Sequence, residues 1–255
     1  MQTIRSPRFS AVRQTSRPRR SAERTRALFL NAAEAVFGAH GYEGTTIRAI
    51  AKRARVNLGT LQHYWGSKRQ LFRELFVIRF EPLRADILRR LRAIEERSAG
   101  DSRPDAGELL RALIESTFLI GMQAPGDAGV ARPRSLKPLR RLYGRALMDP
   151  SAVIVAELNR LFREPVELFL ALMRRACPQL SAGELDWRVN CIVGAQGFSL
   201  VYSERVGRFF GGEADVEARR AADWMIHFML NGIHAPAFAE ATQAAHGLDG
   251  TAHRA

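Results

Sequence analysis

Apolar residues recur at every third or fourth position along most of the chain, the period of an amphipathic helix, and no stretch shows strand-like alternation. The clearest segment is 45–68. Ile47, Ile50, Ala51, Ala54, Val56, Leu61 and Trp65 keep the helical spacing except around Arg55, where a turn is expected. Between them, in the second half, lie Asn57, Gly59, Thr60, Gln62, His63 and Tyr64, small or polar residues suited to bases and phosphates. The pattern predicts a helix-turn-helix, with one helix from Thr46 to about Arg53 and a recognition helix, capped by Asn57, to about Trp65.

A first helix is expected from Ala22 to Phe37, with Leu28, Phe29, Ala32, Ala33, Val36 and Phe37 on its apolar face and Gly38 and Gly41 ending it. Ser67 caps a long fourth helix to about Arg97, which Pro82 should kink. After a loop at 98–106, further helices are expected at 107–123, 136–148, 151–177, 181–208 and 214–233, with Pro165 bending or restarting the third of these and Gly211-Gly212 in the last loop. The expected class is all-α. A disordered basic arm (1–21) precedes a three-helix helix-turn-helix DNA-binding domain (22–68), a helical body (69–235) and a flexible tail (236–255).

Charge sharpens this division. The net charge is +13, but residues 1–70 hold 14 Lys and Arg against 3 Asp and Glu, and the remaining 185 residues are nearly neutral. A basic head on a neutral body fits a polyanion-binding module joined to a partner domain. Arg outnumbers Lys heavily, which genome composition explains, but composition does not explain the asymmetry. The arm carries six arginines and two prolines; it either reaches the DNA backbone or minor groove, or is a solvated tail.

Cys177 and Cys191 are too few for a disulfide scaffold. No apolar run is long enough to span a membrane, no secretion signal opens the chain, and a cytoplasmic protein is expected. His227 and His234 lie on one helix without further ligands of suitable spacing. Neither a metal nor a cofactor is expected, and no nucleophile elbow, phosphate loop or carboxylate pair points to an enzyme.

The head resembles the tetracycline-repressor (TetR) family of bacterial regulators. The resemblance rests on Ala32-Ala33, Phe37, Gly41-Tyr42, Thr45-Thr46, Ile50-Ala51, Val56, Gly59-Thr60-Leu61, Tyr64-Trp65, Ser67-Lys68 and Leu71, in order and without a gap. Arg55 stands where the family usually has Gly in the turn, and Gln62 where it usually has Tyr. The resemblance implies phosphate contacts from Thr46, Tyr64 and Lys68. Position on the motif adds Arg48, Arg55, Asn57, Gly59, Thr60, Gln62 and His63 to the candidate DNA surface, with Gln62 able to pair with adenine.

For the body, the resemblance implies a helical ligand-binding and dimerisation domain (69–235), with a small-molecule effector and a homodimer. The candidate pocket is Phe118, Met122, Phe162, Phe169 and Met173. The candidate dimer interface is Gly194, Gly197, Phe198, Trp224 and Phe228, where the glycines would permit close helix approach. The basic stretch Arg132–Arg145 reads either as a clamp for an anionic effector or as a solvated face. These readings converge on a regulator, expected to be a repressor, that binds a palindromic double-stranded DNA operator as a dimer and is released by a mainly apolar ligand. The fourth helix would act as the lever. A nonspecific nucleoid-type protein and an activator are the alternatives.

Overall fold

The computed structural model describes residues 17–100, 102–119, 137–209 and 218–238. These form nine α-helices and no strand: α1 (Arg17–His40), α2 (Ile47–Ala54), α3 (Leu58–Trp65), α4 (Lys68–Arg97), α5 (Ala106–Phe118), α6 (Lys137–Met148), α7 (Ala152–Ala176), α8 (Ala182–Phe209) and α9 (Ala218–His234). Residues 1–16 of the arm, Met122, Arg132 and Arg134, the Gly211-Gly212 loop and 239–255 of the tail lie outside the described residues.

Local side-chain chemistry sets the starts of α2, α3, α4 and α5. Thr46, Asn57, Ser67 and Asp105 have extended backbones, and their side-chain oxygens accept from Ala49 N, Gly59 N, Gln70 N and Glu108 N. Arg55 closes α2 in the left-handed region (φ 56°, ψ 39°), and its N–H donates back to α2 carbonyls. It is the sole non-glycine residue of positive φ among those described.

The first helix departs from expectation at both ends. It begins at Arg17, with Pro18 in its first turn, where a missing N–H costs nothing. It then runs through Gly38 to His40, and Gly41 (φ +72°) ends it. Gly38 serves a different purpose: a Cβ there would lie 2.8 Å from the Pro138 carbonyl oxygen, so the missing side chain lets α6 approach α1. Leu28, expected on the buried face, is 46% exposed.

Inside the head, Phe29 meets Trp65 edge to face at 5.6 Å, and Ile50, Leu61, Leu71 and Phe37 are fully buried around them. The long α4 carries this core into the body. It runs unbroken through Pro82, which lies on the exposed face, where water can satisfy the carbonyl that proline leaves without a donor. Its buried face carries Phe72, Phe76 and Phe80, whose rings stand 5.4 and 4.6 Å apart in succession. Tyr143 of α6 and Phe162 of α7 extend the row at 5.2 and 5.8 Å.

A buried ion pair ties α1 to α4. Arg79 Nε is 2.6 Å from Glu34 Oε2, and Arg79 also donates to Asn31. Burial pushes the Glu34 carboxyl above the usual range; the Arg79 charge and hydrogen bond pull the other way without cancelling it. Elsewhere, α6 and α8 cross in close contact at two glycines. A Cβ on Gly144 would lie 2.8 Å from the Gly197 carbonyl oxygen, and one on Gly197 would lie 3.0 Å from Met148.

Candidate DNA-binding surface and body cavity

On the head, the N-termini of α2 and α4 flank α3. Thr46, Ile47 and Arg48 from the first, Leu58 and Gln62 from the recognition helix, and Gly66, Ser67 and Lys68 from the last line a concavity of about 410 Å³. Neither α2 nor α4 has an acidic residue in its first turn, so their N-terminal amides and dipoles favour an anion. Thr46, Arg48, Arg55, Asn57, Gly59, Gln62, His63 and Tyr64 are all exposed, while Leu61 and Trp65 of the same helix are buried. Thr60 and Lys68 are half-buried. Of the expected DNA residues, Thr46, Arg48, Gln62 and Lys68 thus line the concavity, while Arg55, Asn57, Gly59, Thr60, His63 and Tyr64 lie outside it.

Lys68 has a second set of partners. Its ammonium donates to the Tyr42 carbonyl at 3.0 Å and lies over the Tyr42 ring at 4.3 Å, with Glu43 at 3.9 Å. Tyr42 in turn packs on Phe37 and Phe72. The lysine is thus fixed at the end of the aromatic row that runs to Tyr143 and Phe162. On the far side of α3, a groove of about 670 Å³ brings Arg26 and Arg73 beside Gln62, His63 and Tyr64. Sequence reasoning missed these two arginines, because nothing local indicates that α1 and α4 border the recognition helix.

The body holds a cavity of about 480 Å³ between α4, α5, α6, α7 and α8. Of the five expected pocket residues, Phe162 and Phe169 line it. Phe118 and Met173 are buried in the core and do not, and Met122 lies outside the described residues. The wall instead includes Ile87, Leu113, Tyr143, Leu147, Leu158, Leu170, Val189, Val193 and Gln196. Burial raises the Tyr143 phenol well above its ordinary range, so it stays neutral.

The expected interface residues separate into two groups. Phe198, Trp224 and Phe228 are exposed, as is Trp187, and a Cβ on Gly194 would meet nothing within 4 Å. On α8, Trp187, Gly194 and Phe198 share a helical face. Gly197 does not belong with them: it is buried against α6, and its lack of a side chain serves packing within the chain.

The basic stretch also resolves differently from both expectations at Arg145. Its guanidinium caps α1, donating to the carbonyls of Gly38 at 2.8 Å and Ala39 at 3.0 Å. Arg188 acts alike at the end of α9, donating to Gly232, Ile233, Ala235 and Pro236 while paired with Glu184.

Most of the head and the larger part of the body each match a family model. Residues 29–75 match bacterial regulatory proteins of the tetR family, and 129–232 match the tetracyclin repressor-like C-terminal domain. No curated protein matches. Among solved structures, a TetR-like transcriptional regulator from Rhodococcus sp. RHA1 is 22% identical, with a TM-score of 0.52 over 87% of this chain and 100% of that one. A HlyIIR mutant protein is 18% identical, with a TM-score of 0.51 over 81% and 96%. The fatty acid degradation regulator FadR from Bacillus halodurans is 16% identical, with a TM-score of 0.50 over 82% and 96%. At these identities the likeness is one of fold. With a helix-turn-helix head and a helical body matched in order by the two halves of one family, the chain belongs to the TetR family of bacterial transcription regulators.

Proposed function

We propose that the protein is a transcriptional repressor that binds a palindromic operator as a homodimer and is released when a small, mainly apolar molecule occupies the body cavity. The concave surface of the head carries this reading. Two helix N-termini with no acidic residue in their first turns flank a short recognition helix whose outward residues are Gln62, His63 and Tyr64. The termini suit phosphates, and the exposed side chains suit base edges. One recognition helix of this length makes few base contacts, so two half-sites favour a dimer. The exposed aromatic residues of α8 and α9 offer the apolar face that such a dimer needs.

Two connections join cavity to head. Tyr143 and Leu147 line the cavity from α6, and Arg145 on the same helix holds the end of α1. Phe162 and Tyr143 also begin the aromatic row along α4 that ends at Tyr42 and Lys68. A ligand that binds one arrangement of α6 and α7 better than the other would change the separation of the two heads. Release then needs only about 1–3 kcal/mol of differential affinity. The test is operator affinity of Arg145→Ala during effector titration. The reading expects binding without effector to be retained and release to need a different effector concentration. Coincident release curves would remove α6 from the route.

A further inference from the structure

The cavity has a polar feature that an apolar pocket does not need. Gln196, on α8, lines it and is 1% exposed. Its Nε2 donates to the Thr117 hydroxyl of α5, which is also buried. The Thr117 hydroxyl gives its own hydrogen to the Ile114 carbonyl at 2.9 Å, so toward Gln196 it can only accept. That fixes the amide: its nitrogen faces Thr117, and its carbonyl oxygen and second amide hydrogen are left for other partners. The charged residues of the wall, Arg163 and Glu167, are exposed and stand where the cavity meets solvent, so the inner wall carries no counter-charge. An ionised group at depth would be buried without a partner, whereas a neutral hydroxyl or amide would satisfy the glutamine.

Resting on the reading of this cavity as the effector site, we propose that Gln196 selects an amphiphile whose inner end is a neutral hydrogen-bonding group, such as an alcohol or amide, with an apolar body against Phe162, Phe169 and Val193. The apolar body supplies affinity, and the amide rejects molecules of similar shape that lack a hydrogen-bonding group. Leaving a buried amide unpaired costs about tenfold to a hundredfold in binding.

The test uses the full-length protein with the neutral dye Nile red as reporter. The dye is displaced by 1-octanol, 1-chlorooctane or octanoate, in wild type, Gln196→Leu, Arg163→Gln and Val193→Trp. Comparing the octanol-to-chlorooctane affinity ratio between wild type and Gln196→Leu cancels the difference in hydration of the two probes. Thr117 keeps its bond to Ile114 in that variant, and an unchanged helical circular-dichroism spectrum and melting curve confirm its fold. The expected result is a ratio at least about tenfold larger in wild type than in Gln196→Leu. Equal ratios, with both probes displacing dye, overturn the selection by Gln196 and leave the cavity reading intact. Octanoate binding more tightly than octanol, with the advantage lost in Arg163→Gln, also overturns it, because the polar end then sits at the mouth. Dye uptake that Val193→Trp does not reduce, and that no probe reverses, overturns the cavity itself.

Discussion

Lys68 is the residue whose sequence position and structural partners point to different roles. Its place at the start of α4 suits a phosphate, yet its ammonium already binds the Tyr42 carbonyl and ring. A phosphate in the neighbouring concavity can share the remaining ammonium hydrogens, since lysine has three. Lys68→Ala is therefore expected to lower the log–log salt slope of DNA binding by about 1 and to weaken all sequences alike. A lower melting temperature with the slope unchanged would make Lys68 a structural residue. Gln62→Ala is expected to cost about 1–3 kcal/mol at one base position per half-site, read by comparing operator variants. Arg55 tests the turn. Its left-handed backbone costs about 1–2 kcal/mol relative to an ordinary conformation. Arg55→Gly is expected to raise the melting temperature, and any accompanying loss of DNA affinity measures what the guanidinium contributes.

At the scale of elements, legibility follows the range of the interaction. Thr46, Asn57, Ser67 and Asp105 cap helices through amides two or three residues away, so the starts of α2, α3 and α4 were legible to within a residue of the observed bounds. The end of α1 was legible only in part: Gly41 ends it, but Gly38 does not. Gly38 resembles a terminator in sequence but admits α6, and Arg145 caps α1 from more than a hundred residues away. Gly197 was misassigned for the same reason, because a glycine that permits close approach does not say which helix approaches. The exposed side of the recognition helix followed from a period within one element. The cavity needed five helices in place, so only Phe162 and Phe169 of its wall were foreseen.

The ion pair between α1 and α4 supplies a test at this scale. Glu34→Ala would leave the Arg79 charge buried without its partner and is expected to destabilise by about 3–5 kcal/mol. Replacing both, as Glu34→Leu with Arg79→Met, is expected to cost clearly less, because no charge then remains to be buried without a partner. Denaturant midpoints of Glu34→Leu, Arg79→Met and the double measure the coupling directly. Additive losses would show that the two side chains act separately.

For the whole molecule, the charge asymmetry and the division into head and body agree. The +13 net charge resides almost entirely within the first 70 residues, on the part that carries the concave surface, while the body presents aromatic side chains on α8 and α9. A nonspecific DNA-binding protein would need the first feature alone. A dimeric operator-binding regulator uses both. The most direct measurement is selection of bound fragments from a random DNA pool by the full-length protein, followed by sedimentation of the protein on the enriched site. The account predicts enrichment of an inverted repeat whose half-sites lie about 34–36 Å apart, or a multiple of that spacing, occupied by an even number of chains. Uniform recovery of unrelated sequences, bound by single chains, would contradict it.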